Sequence, residues 1–275
     1  MPAKSKLGQN FLRDQSAIAR IAAALGDLSD QSVLEIGPGE GAITKALMER
    51  ARHVTAIEVD HGLAIRLKAF FPADKLTVVE QDVLQFDFAA AAAEAGHKLA
   101  VAGNLPYYIT SPILMRLAEH RASLDRAVLM VQREVADRIV AEPGSRDYGL
   151  LSVMVQMNGP VERLFTLPPG AFSPPPEVHS TVFRWRFAPR FAELGVNEDR
   201  FHKFAKQAFV QKRKTLANNL RAAGIEPATV QAAFAEAEVS PQARAEALGL
   251  SELAKLHAYI ENKEAAAHEA KRPPG

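Results

Sequence analysis

The sequence contains no cysteine in its 275 residues. Disulfide bonds and thiolate metal sites are therefore excluded, and the composition gives no support to an oxidising compartment. No uninterrupted apolar run approaches the ~18 residues that a membrane-spanning helix needs, and the polar N-terminus leads into no secretory apolar segment. These absences predict a cytoplasmic protein that does not associate with membranes.

The chain also has little excess charge, with a formal net charge of +1. That total alone says nothing about nucleic acid, but the distribution of charge says more. Residues 200–221 contain seven basic side chains and no acidic one, whereas residues 226–252 contain five glutamates and a single arginine. A basic segment of this kind is either a solvated helix face or a surface for phosphates, and both interpretations stay open at this point.

Short apolar runs alternate with helical patterns over residues 1–187. Strands are predicted at 32–36, 53–58, 76–80, 98–103, 126–131, 151–157, 161–166 and 178–187. Helices are predicted near 41–50, 61–71, 87–96 and 111–121. This alternation is typical of an α/β fold in which a parallel sheet is covered on both faces, and the last two strands predict an antiparallel edge.

After about residue 188 the pattern is helical alone. One apolar stripe is formed by Phe201, Phe204, Ala205, Ala208 and Phe209. Further helices are predicted at 213–223, 227–236 and 251–262. We therefore expect one domain over 1–187, a small all-α domain over 188–263 and a disordered tail over 264–275.

A glycine turn follows the first long strand, in the sequence Glu-Ile-Gly-Pro-Gly-Glu-Gly at 35–41. Glycines at a strand-to-helix turn let a ligand approach the backbone closely. Glu58 ends the next strand about 20 residues later, where a carboxylate can hold the two hydroxyls of a ribose. The combination indicates a cofactor that contains adenosine.

Three details favour S-adenosylmethionine over a nicotinamide cofactor. The turn reads Gly-x-Gly-x-Gly, which departs from the dinucleotide fingerprint. Asp82 ends the third strand, where it can accept a hydrogen bond from an adenine amino group. The fourth strand ends in a group of acceptors that suits an amine, and hydride transfer has no use for such a group.

Those acceptors lie in the segment Asn104-Leu105-Pro106-Tyr107, which follows the apolar run 98–103. The side-chain oxygen of Asn104 and the carbonyl of Pro106 offer two acceptors, and Tyr107 adds a flat aromatic face. This set suits the exocyclic amine of a planar base. Asn and Pro also mark ordinary turns, so the four residues alone do not decide between a turn and an active site.

Taken together, five ordered motifs resemble the ribosomal RNA adenine N6-dimethyltransferase family, and within it the bacterial group that acts on the small subunit. The resemblance covers residues 6–260. The motifs are Lys-Leu-Gly-Gln-Asn-Phe-Leu at 6–12, Glu-Ile-Gly-Pro-Gly at 35–39, Asn-Leu-Pro-Tyr at 104–107, Ala-Phe-Ser-Pro-Pro-Pro at 171–176 and Gln-Lys-Arg-Lys-Thr-Leu at 211–216. One departure is Tyr108, where the family often has Asn. We expect little effect, because the acceptors are retained.

The resemblance implies a Rossmann-like, seven-stranded class I methyltransferase domain, and an enzyme that uses S-adenosyl-L-methionine and releases S-adenosyl-L-homocysteine. It implies dimethylation of two adjacent adenosines near the 3′ end of 16S rRNA, in the small ribosomal subunit or its precursor, with a role in subunit biogenesis. Apart from the resemblance, we expect a monomer. A sulfonium cofactor is itself a strong electrophile, so no metal is expected.

Site residues follow from the same resemblance. Those expected to bind the cofactor are Gln9, Asn10, Leu12, Gly37, Gly39, Glu58, Asp82 and Asn104. Those expected to hold the target base are Asn104, Leu105, Pro106, Tyr107 and Phe172, with Tyr107 and Phe172 as the two faces of a sandwich. Those expected to contact rRNA are Lys203, Lys206, Lys212, Arg213, Lys214, Arg221, Arg133 and Arg146.

Other functions remain open. The sister group that methylates large-subunit rRNA is the nearest alternative, followed by DNA adenine methylation. A ribosome-assembly or transcription factor that kept the fold without catalysis is a different class of function. The Pro-rich loop and the helical C-terminal region favour the small-subunit group, and the intact segment 104–107 argues against loss of catalysis.

Overall fold

The structure is a computed structural model and describes residues 10–269. Its strands are β1 (Phe11–Leu12), β2 (Ser32–Ile36), β3 (His53–Glu58), β4 (Leu76–Glu80), β5 (Leu99–Asn104), β6 (Leu124–Gln132), β7 (Val161–Leu167), β8 (Phe172–Ser173) and β9 (Ser180–Arg186). Its α-helices are α1 (Gln15–Ala24), α2 (Ala42–Met48), α3 (His61–Phe70), α4 (Phe88–Ala95), α5 (Thr110–Glu119), α6 (Arg133–Ile139), α7 (Leu150–Gln156), α8 (Glu198–Ala208), α9 (Leu216–Ala222), α10 (Pro227–Glu236) and α11 (Leu250–Glu269).

Seven strands form one mixed sheet in the order β4-β3-β2-β5-β6-β9-β7. The first five strands of that order are parallel, and β9 runs antiparallel to both β6 and β7. The short strands β1 and β8 form a separate antiparallel pair. The predicted α/β fold with an antiparallel edge is therefore confirmed.

Burial explains why these segments form strands. Leu99, Ala100, Val101 and Ala102 of β5 are all almost inaccessible to solvent. A strand at the centre of a parallel sheet is covered by helices on both faces, so its sequence is a continuous apolar run and not an alternating one. The same explanation holds for β2, where Val33 is followed by further buried residues.

One predicted strand is wrong, because residues 151–157 lie mainly in helix α7. Leu151 to Val155 are all buried, and a segment that is buried on every side is a continuous apolar run whether it is a strand or a helix. Ser152 gives the local reason for the helix. Its hydroxyl accepts the Gly149 N–H at 3.0 Å and donates to the Arg138 carbonyl at 2.5 Å, which caps the first turn.

The chain divides into two compact units. The first contains residues up to Ala136 together with Pro160–Phe187, and the second contains Asp137–Gly159 and the residues from Ala188 onward. The predicted domain boundary after residue 187 coincides with one of the points at which the chain passes from the first unit to the second. The segment 137–159 was expected in the first domain, but it groups with the helical unit because α7 packs with α8 there.

The second unit is built from helices. The predicted stripe on α8 is buried at Phe201, Phe204, Ala205 and Ala208, while Phe209 directly follows the helix. The prediction of a disordered tail is wrong over 264–269, because α11 continues to Glu269. Residues 270–275 lie outside the described chain. Among residues 10–269, no helix is long and apolar enough to cross a membrane.

Candidate active site

A cavity of about 580 Å³ lies in the first unit, at the carboxyl ends of β2, β3, β4 and β5. This edge is where open α/β sheets bind their ligands. The predicted site residues that line it are Asn10, Leu12, Gly37, Gly39, Glu58, Asp82, Asn104, Leu105, Pro106 and Tyr107. Gln9 lies outside the described residues. Ten residues that the sequence assigns to one site therefore line one cavity.

The glycine turn forms one wall of the cavity. Gly37 and Gly39 both have positive φ, at 65° and 58°, a conformation that disfavours any side chain. A Cβ added to Gly39 would lie 3.0 Å from two ring carbons of Phe11, which is itself a lining residue. Glycine is thus required at 39 both by the backbone angle and by the ring packed against it.

Glu58 is a buried carboxylate in the same wall, with only 3% of its surface exposed. Its Oε2 accepts the Gly39 N–H at 3.2 Å and its Oε1 accepts the Asp60 N–H at 2.9 Å. Burial raises its pKa, which these hydrogen bonds partly oppose. Because a carboxylate has about four lone-pair positions, Glu58 keeps acceptor capacity beyond its bonds to the backbone.

Glu35 is a second buried carboxyl group, and sequence reasoning did not select it as a site residue. It lies on β2 and is 1% exposed. Thr44 donates a hydrogen bond from Oγ1 to Glu35 Oε2 at 2.5 Å. Burial raises the pKa of Glu35 to about 8, and the charge of Glu58 acts in the same direction. The available signal was a charged residue inside an apolar strand.

Two other polar residues, Asp82 and Asn10, also line the cavity. Asp82 Oδ1 accepts the Leu84 N–H at 2.9 Å and so caps a short 3₁₀ turn. Helix α1 is capped by Asp14, which accepts the Ala17 N–H at 2.9 Å, and not by Asn10. Asn10 instead accepts a hydrogen bond at its backbone carbonyl from the side chain of Asn104.

The backbone at Asn10 orients the side chain of Asn104. The Asn104 Nδ2 donates a hydrogen bond to the Asn10 carbonyl at 3.2 Å. A carbonyl can only accept, so the amide end that faces Asn10 is the NH₂ group and Oδ1 is the opposite end. Asn104, which lines the cavity, therefore keeps its side-chain oxygen as an acceptor that Asn10 does not use.

The second predicted acceptor, the Pro106 carbonyl, already has hydrogen-bond partners within the chain. The Pro106 carbonyl accepts both the Ile109 N–H at 3.3 Å and the Thr110 Oγ1 hydroxyl at 3.0 Å. These bonds use its two lone pairs, because the chain turns into a helix directly after the proline. The Leu105 N–H donates to the Met130 carbonyl at 2.9 Å. Within residues 10–269, the carbonyl of Leu105 has no hydrogen-bond partner, which makes it the available backbone acceptor.

The two predicted aromatic faces are not equivalent in the structure. Tyr107 is half-buried, lines the cavity and is hydrogen-bonded through its hydroxyl to Ser180 Oγ at 3.1 Å. Phe172 is not in the cavity wall formed by the described residues. It pairs with Leu12 in the β1–β8 sheet and is 5% exposed within the hydrophobic core. Tyr108 lines the cavity as well, with 63% of its surface exposed.

All eight predicted rRNA contacts have exposed side chains. They are Arg133, Arg146, Lys203, Lys206, Lys212, Arg213, Lys214 and Arg221. In the second unit, Lys212 Nζ donates to the Arg146 carbonyl at 2.9 Å, which brings two distant segments of the chain together.

Solved structures with the same architecture include a dimethyladenosine transferase from Plasmodium falciparum, which is 24% identical, with a TM-score of 0.76 over 92% of this chain and 98% of that one. A 23S rRNA methyltransferase, ErmE, is 27% identical, with a TM-score of 0.69 over 92% of this chain and 100% of its own. The first similarity concerns the fold alone.

Sequence comparisons extend over nearly the whole chain. A ribosomal RNA small subunit methyltransferase A from Acidobacterium capsulatum is 55% identical over 94% of this chain and 92% of its own length. Its counterpart from Koribacter versatilis is 47% identical over 92% and 93%. The family model described as ribosomal RNA adenine dimethylase matches residues 2–262. The chain therefore belongs to the ribosomal RNA adenine dimethylase family.

Proposed function

We propose that the protein uses S-adenosyl-L-methionine to dimethylate N6 of two adjacent adenosines near the 3′ end of 16S rRNA, in the small ribosomal subunit or its precursor. The observation that carries this proposal is the orientation of Asn104, whose acceptor oxygen is set by the Asn10 carbonyl beside a cavity with a buried carboxylate. The enzyme would act in the cytoplasm as a monomer.

The residues of the cavity fit the cofactor. Gly37 and Gly39 leave the backbone open to close approach, Glu58 has acceptor capacity for the ribose hydroxyls, and Asp82 can accept from the adenine amine. When bound, S-adenosyl-L-methionine supplies an electrophilic methyl group on its sulfonium. The volume of about 580 Å³ is in the range of small-molecule sites and leaves room for the edge of a target base.

The chain's contribution to transfer is the orientation of a weak nucleophile. The lone pair of adenine N6 is delocalised into the ring, so the amine needs hydrogen bonds that favour a pyramidal nitrogen. Asn104 Oδ1 and the Leu105 carbonyl would accept its two N–H groups. Correct orientation of this kind supplies several kcal/mol of the barrier reduction. Leu105 replaces Pro106 as the backbone acceptor because the Pro106 carbonyl is already saturated.

The second methylation places a further demand on these acceptors. N6-methyladenine has one N–H, so Asn104 and Leu105 cannot both be satisfied as they were for the first transfer. The half-methylated base must therefore rotate within the site, or leave and bind again. A product distribution that contains monomethylated intermediate at early times would indicate release.

The target adenosine must be unstacked from its RNA neighbours to reach this depth. Tyr107 would stack on it, a contact worth ~1–3 kcal/mol per base. Phe172 would act indirectly, since its pairing with Leu12 supports a strand that lines the cavity. The exposed basic residues would hold rRNA phosphates, which makes binding dependent on salt.

A second candidate is methylation of large-subunit rRNA, which the 27% identity to the 23S rRNA methyltransferase favours. Relatives at 47% and 55% identity that are named for the small subunit give stronger support to the first candidate.

Labelled-methyl transfer to isolated small subunits, large subunits and naked rRNA distinguishes the two, with modified nucleotides mapped by mass spectrometry. We expect N6,N6-dimethyladenosine at two adjacent positions of small-subunit rRNA. Label in large-subunit rRNA alone, or in no substrate, would overturn the proposal.

A further inference from the structure

Ser180 is a fully buried serine outside the cavity wall. It is the first residue of β9, where it pairs with Gln132 of β6 and with Leu167 of β7. Its side-chain oxygen lies 3.1 Å from the hydroxyl of Tyr107. A buried hydroxyl normally requires such a partner, so this bond stabilises both groups.

The bond connects strands that are not neighbours. Tyr107 follows β5, and β6 lies between β5 and β9 in the sheet. The tyrosine side chain therefore reaches past the end of β6 to contact Ser180. An aromatic side chain has two main torsions, and packing at its base together with a hydrogen bond at its tip fixes both.

We infer that Ser180 is a positioning residue for methyl transfer. It holds the Tyr107 ring at the angle at which the target adenine stacks, beside the acceptors on Asn104 and Leu105. The inference rests on the proposed function, because it needs a base in contact with Tyr107. Ser180 itself touches neither base nor cofactor in this account.

The test uses Ser180→Ala and Tyr107→Phe in the full-length chain, because each removes one hydroxyl from the same hydrogen bond. Single-turnover methyl transfer to small subunits is measured at saturating cofactor, with cofactor affinity measured separately. Each variant is expected to lower the transfer rate by about three- to tenfold and to leave cofactor affinity unchanged. The double variant is expected to be no slower than the slower single variant, since both remove one interaction.

Thr181→Val is the matched control. Thr181 is the next residue of β9, it is fully buried, and its Oγ1 lies 2.9 Å from Thr166 Oγ1. This control removes a comparable buried hydrogen bond from the same strand without affecting Tyr107. It should lower thermal stability to a similar degree as Ser180→Ala while keeping the wild-type transfer rate.

Two results would overturn the inference. One is a Ser180→Ala rate no lower than that of Thr181→Val, and the other is a double variant whose loss is the product of the two single losses. The wild-type chain separates this inference from the proposed function. If the wild type transfers no methyl group to small subunits, the proposed function fails. If the wild type is active and Asn104→Ala is inactive while Ser180→Ala is normal, only the role of Ser180 fails.

Discussion

Replacing Glu35 by Gln should remove a large pH dependence from the stability of the first unit. Burial raises the pKa of Glu35 from its ordinary value of 4.5 to about 8. Below pH 4.5 the carboxyl is protonated in both the folded and the unfolded chain. As the pH rises from 4.5 to about 8, the unfolded chain loses this proton while the folded chain keeps it, so the folded state is increasingly disfavoured.

The size of the effect follows from these two values. The interval between 4.5 and about 8 corresponds to about 5 kcal/mol of unfolding free energy, at about 1.4 kcal/mol per pH unit. Gln has nearly the same shape and no charge, so it carries no such penalty. Glu35→Gln should thus match the wild type near pH 4.5 and become more stable than it as the pH approaches 9.

Urea unfolding between pH 4.5 and pH 9, followed by circular dichroism, measures this difference. Glu49→Gln, a change at an exposed glutamate just after α2, is the control and should leave the pH dependence as it is in the wild type. Parallel pH profiles for the wild type and Glu35→Gln would refute the reasoning, because they would mean that Glu35 titrates alike in both states.

Three further changes test the cavity and the basic surface. Asn104→Ala should bind cofactor with a modest loss but transfer methyl at least a hundredfold more slowly, a loss of about 3 kcal/mol or more, in single-turnover assays; near-normal transfer would exclude its role. Gly39→Ala should weaken cofactor binding about tenfold by calorimetry, because a side chain at φ 58° meets Phe11, whereas Gly170→Ala, with open space around it, should not. Charge reversal at Lys212, Arg213 and Lys214 should weaken small-subunit binding and flatten its salt dependence, and an unchanged salt slope would argue against phosphate contacts.

The sheet was readable from the sequence because buried parallel strands leave continuous apolar runs, as at 99–103. The same rule misassigned 151–157, since α7 is buried on every side and gives the same run. The cavity was readable because glycines and acidic residues follow consecutive strands, whose carboxyl ends meet at one edge. The strands and the cavity could be predicted because each apolar run, and each residue that follows it, lies within a short stretch of the sequence.

Other features depend on partners that composition does not reveal. The saturation of the Pro106 carbonyl required knowing that the chain enters a helical turn at once, so that Ile109 and Thr110 reach back to it. The burial of Phe172 depends on its pairing with Leu12, a residue far away in sequence. Ser180 meets Tyr107 only because β9 inserts beside β6 in the strand order.

The hydrogen bond from Asn104 Nδ2 to the Asn10 carbonyl has a consequence for the polarity of the active site. A side-chain amide that turns by half a revolution exchanges an acceptor for a donor at the same point in space. The backbone at Asn10 prevents that exchange by accepting only the NH₂ end. Under the proposed function, the backbone at Asn10 thus determines whether Asn104 presents an acceptor or a donor to the amine of the target base.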